Sequence, residues 1–132
     1  MKKILTFGVF DYFHLGHLRL FENCKKHGDY LIVAVQDGDF ILKYKPEAQI
    51  LYSTQERLEL VSALRVVDET VIYQSATPEF LQGMDFDVLA LGGDQTAERF
   101  QICEVWCREH GKSVVRLPRT PGICSSDIKK NL

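Results

Sequence analysis

The alternation of two kinds of segment constrains the fold of this chain more than any other feature. Short runs of β-branched and apolar residues recur along the sequence, and segments of helical period lie between them. This order is typical of βαβ units, in which a helix connects two parallel strands. We therefore predict an α/β protein with a single doubly wound parallel sheet of about five strands and flanking helices. The predicted strands are Lys3–Phe7, Tyr30–Val35, Glu69–Ile72, Val88–Leu91 and Ser113–Leu117.

Capping signals mark the predicted helices between these strands. One helix runs from His17 to His27, a second begins at a capping box of Ser53 and Glu56, a third runs from Thr77 to Gly83 and a fourth from Thr96 to His110. The segment from Asp37 to Tyr52 has no clear period and is interpreted as a long loop. Loops of this length within compact domains often carry function.

Composition indicates a single domain and argues against one class of partner. The 132 residues hold 16 Lys and Arg against 18 Asp and Glu, a net charge of −2. This length suits one globular domain over residues 1–132. A sequence-independent nucleic-acid binder would need a large basic surplus, so we expect no nucleic-acid partner. Any phosphate must then be bound by a local site.

The four cysteines form no CxxC pair, and no apolar stretch is long enough to cross a membrane. We therefore expect reduced thiols, a cytoplasmic location and no membrane partner. Cys103, Cys107 and His110 share one face of a predicted helix, where three ligands could meet a soft metal. We favour the other interpretation, in which the two cysteines pack in the core.

The residues after the first strand carry the clearest sign of chemistry. His14 and His17 flank Gly16 at the start of a predicted helix. A spacing of three places both imidazoles on one side of the first turn, and glycine lets a phosphate approach the backbone. Free N–H groups and the helix dipole add to the attraction for anions. This turn is predicted to bind anionic oxygen.

A second turn near the end of the chain has the same physical character. Arg119 follows the last predicted strand, Gly122 permits a tight turn, and Ser125 and Ser126 precede a short helix. The arginine offers a fork for phosphate oxygens, and the serine hydroxyls either bind phosphate or cap the helix. Two such turns on adjacent strand ends favour a triphosphate ligand.

These motifs resemble those of a known family. Gly8 to His17 is similar to a G-x-F-D-x-x-H-x-G-H opening, Gly28 to Val35 to a second strand reading G-D-Y-L-I-V-A-V, and Arg65 to Glu69 to R-x-V-D-E, with Glu56-Arg57 matching an E-R pair. Arg119 to Lys129 is similar to R-T-x-G-I-S-T-T-x-I-K. The chain thus resembles the HxGH nucleotidyltransferases of Rossmann-like fold, and among them the cytidylyltransferases that include the glycerol-3-phosphate enzymes.

The resemblance implies transfer of CMP from CTP to a small phosphorylated acceptor, with glycerol 3-phosphate as the leading candidate. The products would be pyrophosphate and a CDP-linked precursor for a cell-surface polysaccharide of the teichoic-acid type or for a lipid. Mg²⁺ would enter with the triphosphate rather than on protein ligands, and a homodimer is expected. Such a phosphoryl transfer needs positioning and charge neutralisation rather than a protein nucleophile.

The resemblance also implies roles for individual residues. Catalytic roles fall on His14, His17, Lys43, Lys45 and Arg119. Nucleotide contacts fall on these two histidines and Arg119 and on Gly8, Val9, Phe10, Asp11, Gly16, Gly92, Asp94, Thr120, Gly122, Ile123, Ser125 and Ser126. Acceptor contacts fall on Lys43, Lys45, Arg57, Arg65 and Asp68. From the residues alone, Lys43 and Lys45 could be solvated surface, Asp11 a turn-stabilising residue, and Arg65 with Asp68 a structural ion pair.

One stretch departs from the family pattern and leaves the acceptor open. The glycerol phosphate enzymes read G-D-D-W after the fourth strand, whereas this chain reads Gly92-Gly93-Asp94-Gln95. A phosphoamino acid, phosphoethanolamine or a sugar phosphate is therefore an alternative acceptor. An adenylyltransferase of the same superfamily that uses ATP is a second alternative, and a nucleotide-binding protein without turnover is a third.

Overall fold

A computed structural model describes residues 1–118. Five strands and five helices alternate along these residues. The strands are β1 (Lys3–Gly8), β2 (Tyr30–Gln36), β3 (Glu69–Tyr73), β4 (Val88–Gly92) and β5 (Ser113–Leu117). The helices are α1 (Leu15–Lys25), α2 (Gly38–Tyr44), α3 (Thr54–Ser62), α4 (Pro78–Gln82) and α5 (Glu98–Glu109). All five predicted strands are present, and four of them extend one residue beyond their predicted ends.

The strands form one sheet in the order β3-β2-β1-β4-β5, and every pairing is parallel. The chain leaves β1 toward β2 on one side and later returns to β4 on its other side. In sheets of this kind the ligand binds where the strand order reverses, at the carboxyl ends of the strands. The predicted fold class is confirmed, and the crevice between β1 and β4 is the expected place for a ligand.

Two helical layers cover the sheet because the β1 side chains alternate between its faces. Ile4 packs in one buried cluster with Phe21 of α1 and Val61 of α3. Leu5 packs in the other cluster with Leu81 of α4 and with residues of α5. Such burial on both faces is what makes the central parallel strands continuously apolar in sequence.

The three cysteines among residues 1–118 lie inside these layers. Cys24 belongs to the α1 side, and Cys103 and Cys107 face the sheet from α5 as fully buried free thiols. Burial raises the pKa of both α5 thiols to about 11. Their predicted role in core packing is confirmed. Within residues 1–118, no group of three His, Cys, Asp or Glu side chains is arranged to hold a metal ion.

The capping predictions are confirmed for two helices. The Ser53 hydroxyl accepts from the backbone N–H of Glu56 at 3.1 Å, and the Glu56 carboxylate accepts from the Ser53 N–H at 2.9 Å. The Thr77 hydroxyl caps α4 by accepting from the backbone N–H of Phe80 at 3.2 Å. Helix α1 begins at Leu15, two residues before its predicted start, because His14 serves as its N-cap.

The segment between β2 and α3 differs from its prediction as a continuous loop. Residues 38–44 form α2, with the Asp37 carboxylate accepting from the Asp39 N–H at 3.2 Å. The helix spans only seven residues, and Ile41 is its one buried position. A helix of that length with a single core contact leaves no measurable period in sequence. Among the described residues, no helix is long and apolar enough to cross a bilayer.

Candidate active site

The loop between β1 and α1 is strained in a way that sequence did not reveal. Phe10 and Tyr12 have φ angles of 55° and 49°, which non-glycine residues rarely adopt. Phe10 folds its buried ring under Gly8, where an added Cβ would lie 3.0 Å from Phe10 Cζ. Strain of this kind concentrates at functional sites. The strained turn delivers the chain directly to the two histidines.

His14 and His17 cap the helix for each other. The Nδ1 atom of His14 accepts from the Gly16 N–H at 3.0 Å. The Nδ1 atom of His17 in turn accepts from the His14 N–H at 3.2 Å. The two rings stack with centroids 4.0 Å apart and planes at 19°. This is the capping-box geometry, with imidazoles in the roles that serine and glutamate usually take.

The reciprocal cap assigns the tautomer of both rings. Because each Nδ1 accepts a hydrogen bond, the proton of each neutral imidazole resides on Nε2. Burial, and then the neighbouring His14, lower the pKa of His17 to about 4, so this ring is neutral at pH 7. Each ring therefore carries an Nε2–H group, which suits an oxygen of a reacting phosphate. His17 lines the crevice, whereas the Nε2 atom of His14 is buried in this structure.

Asp11 ties the loop to the segment in front of α3. Its buried carboxylate accepts from the backbone N–H of Leu51 at 2.6 Å and of Tyr52 at 3.0 Å. Two charge-assisted bonds of this kind hold the loop more firmly than neutral ones. Of the roles considered from sequence, this geometry supports orientation of the turn.

Arg57 is placed differently from its prediction as an acceptor contact. The side chain is completely buried. Its Nη1 donates to the carbonyl oxygens of Val9 at 2.9 Å and Gln36 at 2.7 Å, and its Nε donates to that of Tyr52 at 3.2 Å. Burial lowers its pKa, and nearby carboxylates, Asp11 first, oppose that shift. These contacts support a positioning role for the guanidinium, and its predicted contact with the acceptor stays a prediction.

Arg65 and Asp68 also lie away from the predicted site. Both precede β3 and therefore belong to the amino-end edge of the sheet, opposite His14 and His17. The Asp68 carboxylate pairs with Lys25 of α1 and accepts from the Leu31 N–H at 2.8 Å. The acceptor role predicted for these two residues stays a prediction. An ion pair is present, but its basic partner is Lys25 rather than Arg65.

Side chains replace the strand ladder at the seam between β1 and β4. These strands pair only at Ile4 with Val88 and Leu5 with Leu89. Beyond that point the Thr6 hydroxyl donates to the carbonyl oxygen of Ala90 at 3.0 Å.

Gln95 closes the far end of the same seam. Its Oε1 accepts from the Gly92 N–H at 2.9 Å, and its Nε2 donates to the carbonyl oxygen of Phe7 at 2.7 Å. Sequence reasoning noted this position only as a departure from a family pattern. Its place one short turn beyond a strand at the switch point was the signal that could have marked it as a site residue.

Two cavities adjoin at this edge of the sheet. The first has a volume of about 330 Å³ and lies on the His17 side, and the second, of about 220 Å³, lies on the α5 side. Both are lined by Gly8, Val9, Asp94 and Gln95. The first adds Phe7, Phe10, Asp11, His17, Leu20 and Gly92. The second adds Gln36, Tyr73, Ala76, Arg99 and Phe100. Many predicted nucleotide contacts are thus brought together in the first cavity.

The remaining predicted residues fall in three places, of which the first is the start of α1, where His14 and Gly16 line neither cavity. Lys43 lies in the last turn of α2 and Lys45 is its C-cap, so both follow the carboxyl end of β2 with exposed side chains. Neither lines the two cavities. The predicted sites at Arg119, Thr120, Gly122, Ile123, Ser125 and Ser126 lie outside the described residues.

The strand order and the capped histidine pair at the switch point define a doubly wound α/β protein whose ligand crevice faces the β1–α1 loop. Comparison with known proteins adds the family. The model of a family described as cytidylyltransferase-like matches residues 5–131. The chain belongs to this family, which confirms the predicted enzyme class, a cytidylyltransferase.

Individual relatives cover the whole chain. It is 34% identical over 134 residues to the glycerol-3-phosphate cytidylyltransferase of Bacillus subtilis, covering 100% of this chain and 98% of the relative. It is also 34% identical to the bifunctional protein HldE of Haemophilus ducreyi, of which it covers 28%. Among solved structures, the lipopolysaccharide core biosynthesis protein of Thermoplasma volcanium matches with a TM-score of 0.73 and 26% identity, over 91% of this chain and 97% of that one.

Proposed function

We propose that this protein transfers CMP from CTP to glycerol 3-phosphate, forming CDP-glycerol and releasing pyrophosphate. The observation that carries the proposal is the pair of mutually capped histidines at the start of α1, directly after the end of β1 at the switch point. The full-length similarity to glycerol-3-phosphate cytidylyltransferases supports the choice of nucleotide and acceptor.

The residues divide the work as follows. An oxygen of the acceptor phosphate attacks the α-phosphorus of CTP, and the bond from that phosphorus to the β-phosphate bridging oxygen breaks. His14 and His17 donate to oxygens on which charge develops, and no side chain forms a covalent bond. Lys43 and Lys45 are the cations that neutralise phosphate charge after β2, and Arg119, outside the described residues, is a third cation for the triphosphate. Arg57 and Asp11 hold the loops that carry these groups.

Mg²⁺ is proposed to arrive bound to the triphosphate. The Asp11 carboxylate is committed to the N–H groups of Leu51 and Tyr52, whereas Asp94 is exposed at the rim shared by the two cavities. Asp94 is therefore the described carboxylate that could meet the ion or its water shell. The ion would screen the phosphate charge.

The test is pyrophosphate release with CTP, ATP, GTP and UTP, each combined with a panel of phosphorylated acceptors. We expect release with CTP and glycerol 3-phosphate and formation of CDP-glycerol. Release with CTP and only a sugar phosphate, phosphoethanolamine or phosphoamino acid would keep the class and overturn the acceptor. Release with ATP alone would make the protein an adenylyltransferase. Nucleotide binding without any release would indicate a binding protein.

CDP-glycerol is an activated precursor, so an enzyme that consumes it must transfer glycerol phosphate to a growing polymer or a lipid. We propose such a cell-surface polymer as its destination, and a cytoplasmic homodimer as the working form. Light scattering of the purified chain tests the oligomeric state.

A further inference from the structure

One cation near the proposed reaction centre, Arg99, has no ion-pair or hydrogen-bond partner within residues 1–118. Three arginines lie on the α5 side of the sheet. Arg108 and Arg116 both form ion pairs with Glu104, at 2.9 Å and 3.1 Å. Arg99 forms no ion pair or hydrogen bond with any described residue, and its guanidinium carbon lies 4.6 Å from the centroid of the Phe100 ring.

Arg99 also lies at a position where a positive charge destabilises the helix. It lies in the first turn of α5, where the helix dipole presents its positive end. The N-cap residue, Ala97, makes no side-chain hydrogen bond that would offset this charge. An exposed arginine held against an aromatic ring at such a place is suited to receive an anion.

The cavity that Arg99 lines holds two further polar side chains that are almost completely buried. Tyr73 is 5% exposed, and its ring packs against Phe7 and Phe80. Its hydroxyl has no hydrogen-bond partner among residues 1–118. Gln36 is 8% exposed, and its Nε2 donates to the carbonyl oxygen of Gln74, whereas its Oε1 accepts from no described residue. The Tyr73 hydroxyl and the Gln36 amide belong to residues that line the cavity, where they can exchange hydrogen bonds with the hydroxyls of a ligand.

We propose that this second cavity is the acceptor subsite, in which Arg99 binds the phosphate of the acceptor and Tyr73 and Gln36 bind hydroxyls of its organic part. This inference rests on the proposed nucleotidyl transfer. The cavity shares Gly8, Val9, Asp94 and Gln95 with the cavity beside His17. A phosphate held by Arg99 at this shared wall is next to the site where the α-phosphate of the nucleotide would be held by the histidines.

The volume and the polar lining of the cavity indicate the kind of acceptor that it can hold. At about 220 Å³ it has room for roughly seven water molecules of ~30 Å³ each. That volume accommodates a three-carbon polyol. The polar groups around it donate to and accept from hydroxyls, and Arg99 repels an ammonium group. The ligand class is therefore the phosphate monoester of a short uncharged polyol.

The main test compares Arg99→Met with Arg108→Met. Both changes remove an exposed arginine of α5, but Arg108 pairs with Glu104 and lines neither cavity. Because a hydrogen bond to a charged group contributes appreciably to binding, we expect Arg99→Met to raise KM for glycerol 3-phosphate about tenfold or more. KM for CTP should stay within about twofold of the wild-type value. Arg99→Lys should recover part of the loss, and Arg108→Met should leave both constants unchanged.

The outcomes separate this inference from the proposed function. Normal acceptor KM in Arg99→Met, or a rise in KM for CTP instead, overturns the subsite while the activity stands. If the wild type releases no pyrophosphate, the proposed function fails, and calorimetry with glycerol 3-phosphate alone decides the subsite. Binding that is lost in Arg99→Met and kept in Arg108→Met supports it, and absence of wild-type binding overturns it.

A second variant tests the hydroxyl contacts. Tyr73→Phe keeps the ring that packs against Phe7 and Phe80 and removes only the oxygen. We expect the preference for glycerol 3-phosphate over propyl phosphate, measured as the ratio of kcat/KM values, to fall about fivefold or more. An unchanged ratio would show that Tyr73 does not contact the organic part of the acceptor.

Discussion

The two edges of the sheet use charged side chains in opposite ways. At the amino-end edge, an aspartate precedes each of three strands and accepts from a backbone N–H of the neighbouring strand region. Asp29 accepts from Lys2 at 3.0 Å, Asp68 from Leu31 at 2.8 Å, and Asp87 from Lys3 at 2.9 Å. Such bonds satisfy donors at the strand ends and fix the register of the sheet.

The carboxyl-end edge combines strain with uncommitted charge. Two residues of the β1–α1 loop have positive φ angles, two imidazoles are stacked on one helical turn, and Arg99 has no partner among the described residues. The comparison indicates that charged side chains at the amino-end edge stabilise the sheet, whereas those at the carboxyl-end edge include groups that a ligand can contact. Substitutions at the two edges should therefore change different measurements.

The largest effect is expected from removing the Nε2–H donors while keeping the helix cap. His14→Asn and His17→Asn each keep an acceptor oxygen at the position of Nδ1, which serves the cap, and remove the donor at Nε2. Each should lower kcat about 10²–10³-fold with little change in the midpoint of thermal unfolding. Steady-state kinetics and calorimetry check both quantities.

His14→Ala supplies the control for this comparison, because it removes donor and cap together. It should lose the same activity and in addition about 1 kcal/mol of stability. Normal turnover in His14→Asn and His17→Asn would refute the assignment of the histidines to the reaction.

Arg57 should give the next largest effect, and on stability first. Arg57→Met leaves the carbonyl oxygens of Val9, Gln36 and Tyr52 without their buried donor. We expect a loss of about 3 kcal/mol in the free energy of unfolding, measured by urea denaturation. Arg57→Lys, which keeps the charge and some of the bonds, should be less destabilised and retain wild-type KM for the acceptor. A tenfold rise in the acceptor KM of Arg57→Lys, with unchanged stability, would instead indicate that Arg57 contacts the acceptor directly.

Asp68 should give the smallest effect, confined to stability and dependent on pH. Burial opposes its ionisation, but the hydrogen bonds from Lys25 and Leu31 outweigh it, and the pKa of Asp68 is lowered. The contribution of this carboxylate is therefore complete above about pH 5 and is lost as pH falls through the folded-state pKa. Asp68→Asn should cost about 1 kcal/mol at pH 7 and almost nothing near pH 2, with kcat and KM unchanged.

Lys25→Met is the matched control for Asp68. It removes the ion pair but leaves the Leu31 N–H bond in place, so its cost at pH 7 should be smaller. A change in acceptor KM in either variant would contradict the assignment of this edge to cohesion.

The sequence predicted those features that have a period or a local capping pattern. The five strands, the Ser53 capping box and the paired histidines after β1 follow from local chemistry, and each is present. Helix α2 was missed because seven residues with one core contact have no measurable period. The site at Gln95 was missed because its two partners, Gly92 and Phe7, lie on different strands, so its role depends on the strand order.

The roles of the basic residues were the least predictable part. Arg57 lies on α3 and Arg99 on α5, and the motif match predicted a site role for Arg57 alone. Burial decides between them: Arg57 is enclosed by carbonyl oxygens, and Arg99 is exposed at a cavity. Side-chain burial follows from packing between distant segments, which spacing along the chain does not encode.

The short β1–β4 pairing has a consequence for how such a crevice can change. Past Leu5 the distance between the two strands is spanned by the hydroxyl of Thr6 and the amide of Gln95 rather than by main-chain bonds. The width of the opening is thus a matter of side-chain length. Substitutions at Thr6 and Gln95 would therefore change the width of the crevice. The register of the sheet and its two cores do not depend on these two side chains.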